Sequence, residues 1–261
     1  MPIKRSGFGQ GGMSNADSNN AEHAPWLLGL SYQGHTVFFS TDPVTLEAVL
    51  TGSGTGIAGA TVQFYIDGAL EGTASTDGAG VATLDIGTLP AGVFAVTARA
   101  AGGLDTTALV AVCDSTAGCV TGGGWIESRP GAFPINPSYT GPAAFGFVSK
   151  YEKGADVPAG TTEFYFKSAT LNFHSSNHKW LVVTGGDYAR CRGSGTISGQ
   201  QAPNRHDFRF MLWAGDGTGD GGADTFRIKI WWQEGDSEHI IYDNGMDQAI
   251  SSGTVVVQAV E

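Results

Sequence analysis

Asp216, Asp220 and Asp224 stand four residues apart in AGDGTGDGGAD (214–224), the segment whose residue types point most directly to chemistry. The intervening glycines let the backbone bend so that several oxygens converge. Calcium takes six to eight oxygen ligands in loose geometry, so the segment reads as a candidate calcium loop with a structural ion. It is not an EF-hand, because the D-x-D-x-D-G order and the closing glutamate are missing. The plainer reading is an acidic hairpin turn whose glycines supply positive φ, and the composition favours it.

Four histidines, His174, His178, His206 and His239, lie in the second half. The first two are four apart, but HSSNH reads as a loop, and that spacing aligns two ligands only on a helix. Glu127, Glu163 and Asp187 are the kind of carboxylates that glycosidases use in pairs. Nothing in the spacing brings two of them together, and in a chain with 25 acids such a choice carries little weight. No G-x-S-x-G elbow, H-E-x-x-H or Walker loop occurs, so no catalytic residue is assigned and the expectation is a protein that is not an enzyme.

Trp125, Trp180, Trp213, Trp231 and Trp232 raise the idea of sugar stacking. Trp231 and Trp232 are adjacent in one strand and so must face opposite sides. Most tryptophans in β sandwiches are core, which keeps polysaccharide as a partner in reserve.

Three cysteines complete the candidates. Cys113 and Cys119 sit in CDSTAGC, with Cys191 far downstream. A C-x5-C pair alone offers too few ligands for zinc. One disulfide with a leftover thiol fits an oxidising compartment, and three buried thiols acting as small apolar residues fit almost as well.

Something must hold these residues in place, and the composition says what. Of 261 residues 40 are glycine and only 15% are charged, a mixture suited to short strands and tight turns. The net charge of −11 argues against nucleic acid and against an anionic membrane surface. No apolar run is long enough to span a bilayer as a helix. Met1 to His23 has no apolar segment behind its early cations, so no signal peptide is visible. A removed export signal, a non-native start, or a virion structural protein released by lysis would each account for that.

Residues 1–35 read as a flexible or partner-binding arm, rich in Gly, Asn and Ser up to about residue 25. From VTLEAVL (44–50) through ATVQFYI (60–66), VATLDI (81–86), VFAVTARA (93–100) and TALVAV (107–112), apolar and polar residues alternate with period two. Asp67-Gly68 and Asp77-Gly78 supply turn chemistry between them. The second half also reads as strands, from VTGGGWIESRPGAF (120–133) to GTVVVQAV (253–260), and helical periodicity is nowhere sustained. The β-prone ends, VTLEAVL and SGTVVVQAV, invite pairing with a neighbour's sheet edge, although the final strand more simply completes its own sheet.

Residues 36–112 resemble bacterial Ig-like repeat domains of secreted and surface proteins. The resemblance rests on Gly59–Phe64, Thr76–Ala82 and Ala91–Ala98. Residues 113–261 resemble the post-COAP-1 domain of large secreted bacterial proteins, through TGGGWI, FGFVSKY, PAGTTEFYF, LNFHSS with WLVV, GSGTI, and DTFRIKIW with YDN. That resemblance implies aromatic residues at positions 119 and 191, where this chain has cysteines. The joint replacement fits a Cys119–Cys191 disulfide, with Cys113–Cys119 as the alternative. The resemblances imply an all-β chain of two sandwiches in tandem, the first Ig-like. They also imply an extracellular or cell-surface setting, and a structural role built on self-association or contact with other surface proteins. A carbohydrate- or surface-binding adhesion module is the alternative.

Overall fold

The computed structural model describes residues 28–113, 119–199, 208–217 and 221–258. Within them the chain is nearly all β, with one 3-10 turn at Lys167–Ala169. None of the described helices is long and apolar enough to cross a membrane.

The first half holds β1 (Leu28–Tyr32), β2 (Val37–Phe39), β3 (Thr45–Gly52), β4 (Thr55–Gly56) and β5 (Thr61–Ile66). It continues with β6 (Ala69–Ser75), β7 (Val81–Asp85), β8 (Gly92–Ala100) and β9 (Leu104–Cys113). Strict alternation in β3 buries Leu46, Ala48 and Leu50 on one side, as its sequence predicts. β3 pairs with β1, β4 and β7 in one sheet, and the order β2-β9-β8-β5-β6 makes the other. Their inner faces share a core that includes Val44, Val62, Phe64, Val96 and Val110. Asp67 and Gly68 join β5 to β6 with both φ angles positive, the conformation that a two-residue hairpin needs. β2 runs parallel to β9. Of the expected arm, residues 28–32 are strand β1 paired with β3, and residues 1–27 lie outside the described residues.

The second half holds β10 (Val120–Ser128), β11 (Gly141–Lys150), β12 (Ala159–Phe166), β13 (Leu171–Thr184) and β14 (Tyr188–Ser198). After these come β15 (Phe208–Gly215), β16 (Thr225–Glu234), β17 (Ser237–Asp243), β18 (Gln248–Ala249) and β19 (Ser252–Val257). All ten belong to one antiparallel sheet in the order β17-β16-β15-β14-β13-β12-β11-β10-β19, with β18 also on β16. The sheet folds over on itself, so both layers of the sandwich-like body come from a single ladder. Phe145 of β11 stacks on Phe226 of β16 at 3.8 Å between ring centres, and Phe164 of β12 meets Tyr242 of β17 at 4.6 Å. Each fully buried aromatic in this cluster contributes roughly 1.5–3 kcal/mol of burial energy.

The halves meet backbone against backbone. A side chain at Gly123 of β10 would lie 2.6 Å from the Thr36 carbonyl oxygen and 2.7 Å from that of Leu109. At Gly146 of β11 it would strike Val93 and Leu109. The Thr36 hydroxyl donates to the Gly123 carbonyl at 2.5 Å. The glycines of TGGGW and AFGF therefore seat β9 and its neighbours directly on the second sheet.

Candidate functional site

Asp216 and Asp224 of the acidic segment latch the last strand. Asp224 accepts the Gly217 N–H with one carboxylate oxygen (2.9 Å) and the Val255 N–H with the other (2.8 Å). Asp216 accepts the Val257 N–H at 3.1 Å. β19 pairs with β10 on its other side, so these carboxylates satisfy outward-pointing amides of an edge strand. No group of three or more metal-type side chains converges among the described residues. Asp220, the third member of the expected calcium loop, lies outside them. The C-terminal strand thus completes its own sheet, and its edge is occupied.

The segment HSSNH is part of strand β13, not the loop its sequence suggests. Bulges between Ser175 and Asn177, and between His178 and Trp180, change the alternation. His174 consequently faces solvent and His178 the interior, although an even spacing in a regular strand would put both on one face. His178 is 2% exposed, with Nδ1 2.9 Å from the Ser149 hydroxyl and Nε2 3.1 Å from that of Thr162. Burial lowers its pKa to about 4, so the ring is neutral at ordinary pH. His206 lies outside the described residues, and His239 stacks on Trp232 at 3.8 Å.

Glu163 sits in a groove of about 450 Å³ between the halves and contacts the His174 imidazole. Burial raises its pKa, the His174 contact opposes that, and Asp67 across the groove raises it further. The side chains that face Glu163 are therefore His174 and Asp67, not Glu127 or Asp187. Glu127 belongs to β10, and Asp187 to the turn between β13 and β14.

Cys113 is bonded to Cys119, the alternative pairing; the Cys119–Cys191 bridge does not form. The physical reason is the face each occupies: Cys113 and Cys119 cluster with Val148 of β11, whereas Cys191 of β14 packs beside Ser149, whose side chain leaves the opposite face of that strand. Cys191 is a core thiol, 2% exposed and 3.8 Å from the Ser149 hydroxyl, and burial pushes its pKa up to about 12. The disulfide spans the junction of the halves, and its surroundings include Val148, Phe39 and Val93.

A second groove, of about 600 Å³, also follows the junction. Trp125 and Tyr165 both stand opposite Ala144 in neighbouring ladders, so two rings flank one small side chain on the same face. Trp231 and Trp232 do take opposite faces. Trp232 packs on the core, and Trp231 lies on the outer side beneath Arg192 and Lys229.

That outer side holds what sequence reasoning missed. β14, β15 and β16 alternate core residues with Arg190, Arg192, Arg209, Arg227 and Lys229. Arg190 stands opposite Trp213, which stands opposite Arg227, and Arg209 stands opposite Trp231. The signal was present in YARCR, FRFMLW and FRIKIWW, but a net charge taken over the whole chain conceals it.

No family model matches this chain, and no relative is found among curated proteins.

Proposed function

We propose that the chain is a non-catalytic structural protein of an extracellular surface or matrix, acting as a stiff, self-assembling unit of two β domains in tandem, the first Ig-like. The observation that carries this reading is the construction of the junction: glycines that admit backbone contact at Gly123 and Gly146, closed by the Cys113–Cys119 disulfide. Such a joint resists bending, which suits a load-bearing subunit, and a disulfide persists in an oxidising compartment. The parallel β2–β9 pair beside an antiparallel β8–β9 ladder supports the Ig-like description of the first half. Negative-stain microscopy of the purified chain tests assembly: filaments or ladders of oligomers support it, and uniform single particles at all concentrations sink it.

A second reading, a carbohydrate-binding module, draws on the Trp125–Ala144–Tyr165 face. Two rings separated by a methyl group make a shallow saddle of the kind on which a sugar ring stacks. Retention on an insoluble glycan, weakened about tenfold (about 1.4 kcal/mol) by Trp125→Ala, would favour it. Equal retention of the parent and the variant would remove it.

A further inference from the structure

Both halves of the molecule are acidic, since residues 114–261 carry 11 Lys and Arg against 16 Asp and Glu, a net of 11 − 16 = −5, but the cations are unevenly placed. Residues 28–113 carry seven carboxylates and the single cation Arg99, a net of 1 − 7 = −6. The outer face of β14–β16 carries five cations, although the chain as a whole is at −11. Arg227 is held by Asp243 at 3.4 Å and Lys229 by Glu238 at 2.5 Å. Arg190, Arg192 and Arg209 have no carboxylate at ion-pair distance among the described residues, and Arg209 donates instead to the neutral Gln233 amide. Beneath them the Trp231 indole N–H, in a side chain only 4% exposed, has no acceptor. The face thus carries an excess of hydrogen-bond donors beside the Trp213 and Trp231 rings.

We infer that this cationic face docks on the acidic first half of a second copy of the chain. The inference rests on the self-assembly reading above and supplies its contact. Donor and acceptor surfaces lie on different halves, so the contact is heterologous and propagates head to tail. At β19 the carboxylates of Asp216 and Asp224 take amides that strand addition would need, whereas docking through the cationic face needs no free edge. Guanidinium groups suit carboxylates geometrically as well as by charge.

Sedimentation velocity of the full chain tests the contact. Wild type forms a concentration-dependent series of oligomers that shrinks as sodium chloride rises from about 0.05 M to about 0.5 M, where screening shortens the range of the charges. Arg190→Glu/Arg192→Glu/Arg209→Glu stays monomeric, as does Asp42→Lys/Glu71→Lys/Asp105→Lys, and mixing the two variants restores association. That rescue separates docking from misfolding. Oligomers that survive either reversal overturn this contact while leaving the structural reading intact. A wild-type monomer at every salt concentration overturns both, including the case in which that monomer captures an anionic polysaccharide.

Discussion

His178 lies among hydroxyl groups in the interior as a neutral ring, and this gives the stability of the protein a defined pH dependence. Its pKa is about 4 in the folded chain against 6.5 when unfolded, so the unfolded chain binds the extra proton between those values. Stability from this group is complete above about 6.5 and is lost as pH falls towards about 4, by roughly 3 kcal/mol in all. Thermal melts across that window should show the decline, and His178→Asn should flatten it; an equal slope in the variant would assign the decline to other groups. Cys191 offers a second check at this scale. Without reductant, a thiol reagent should find no reactive cysteine in the native chain and one after denaturation, with peptide mapping joining Cys113 to Cys119. A native thiol that reacts at once would contradict the buried placement. Little of this was legible beforehand. The bulge between Ser175 and Asn177 sets the direction of His178, and bulges leave no reliable mark on a sequence.

At the scale of elements the sequence was more informative, because a strand with one buried face writes its alternation directly into the residue types. β3, β5, β7, β8 and β9 fall where VTLEAVL, ATVQFYI, VATLDI, VFAVTARA and TALVAV place them. What the alternation could not convey is how strands associate. A single ten-stranded sheet that doubles over depends on strand order, which is a long-range property. The acidic loop shows the same limit: its aspartates were visible, but the amides of β19 that they accept lie about thirty to forty residues away. Asp224→Ala should leave the Gly217 and Val255 amides without these partners, at a cost of about 1–3 kcal/mol in denaturant unfolding. Chelator should leave the parent melting temperature unchanged; a chelator-dependent shift would restore the calcium reading.

For the molecule as a whole, two properties matter: the fixed joint and the gathering of cations on one face. Gly123→Val would drive a side chain into the carbonyl oxygens of Thr36 and Leu109, which belong to backbone and cannot move aside cheaply. The cost should be about 1–3 kcal/mol, accompanied by a more extended solution scattering profile as the halves part. An unchanged profile would show that the glycine seat does not hold the joint. The scarcity of cations in residues 28–113 can be counted from the sequence, but the gathering of five on one face of the second half cannot, because that needs the register of β14, β15 and β16. Assembly is the central claim, and the most direct measurement is the solution mass of the purified full chain at low salt over a range of concentrations. The account predicts an open series of oligomers that lengthens with concentration and dissolves in salt. A single monomeric species throughout would contradict it.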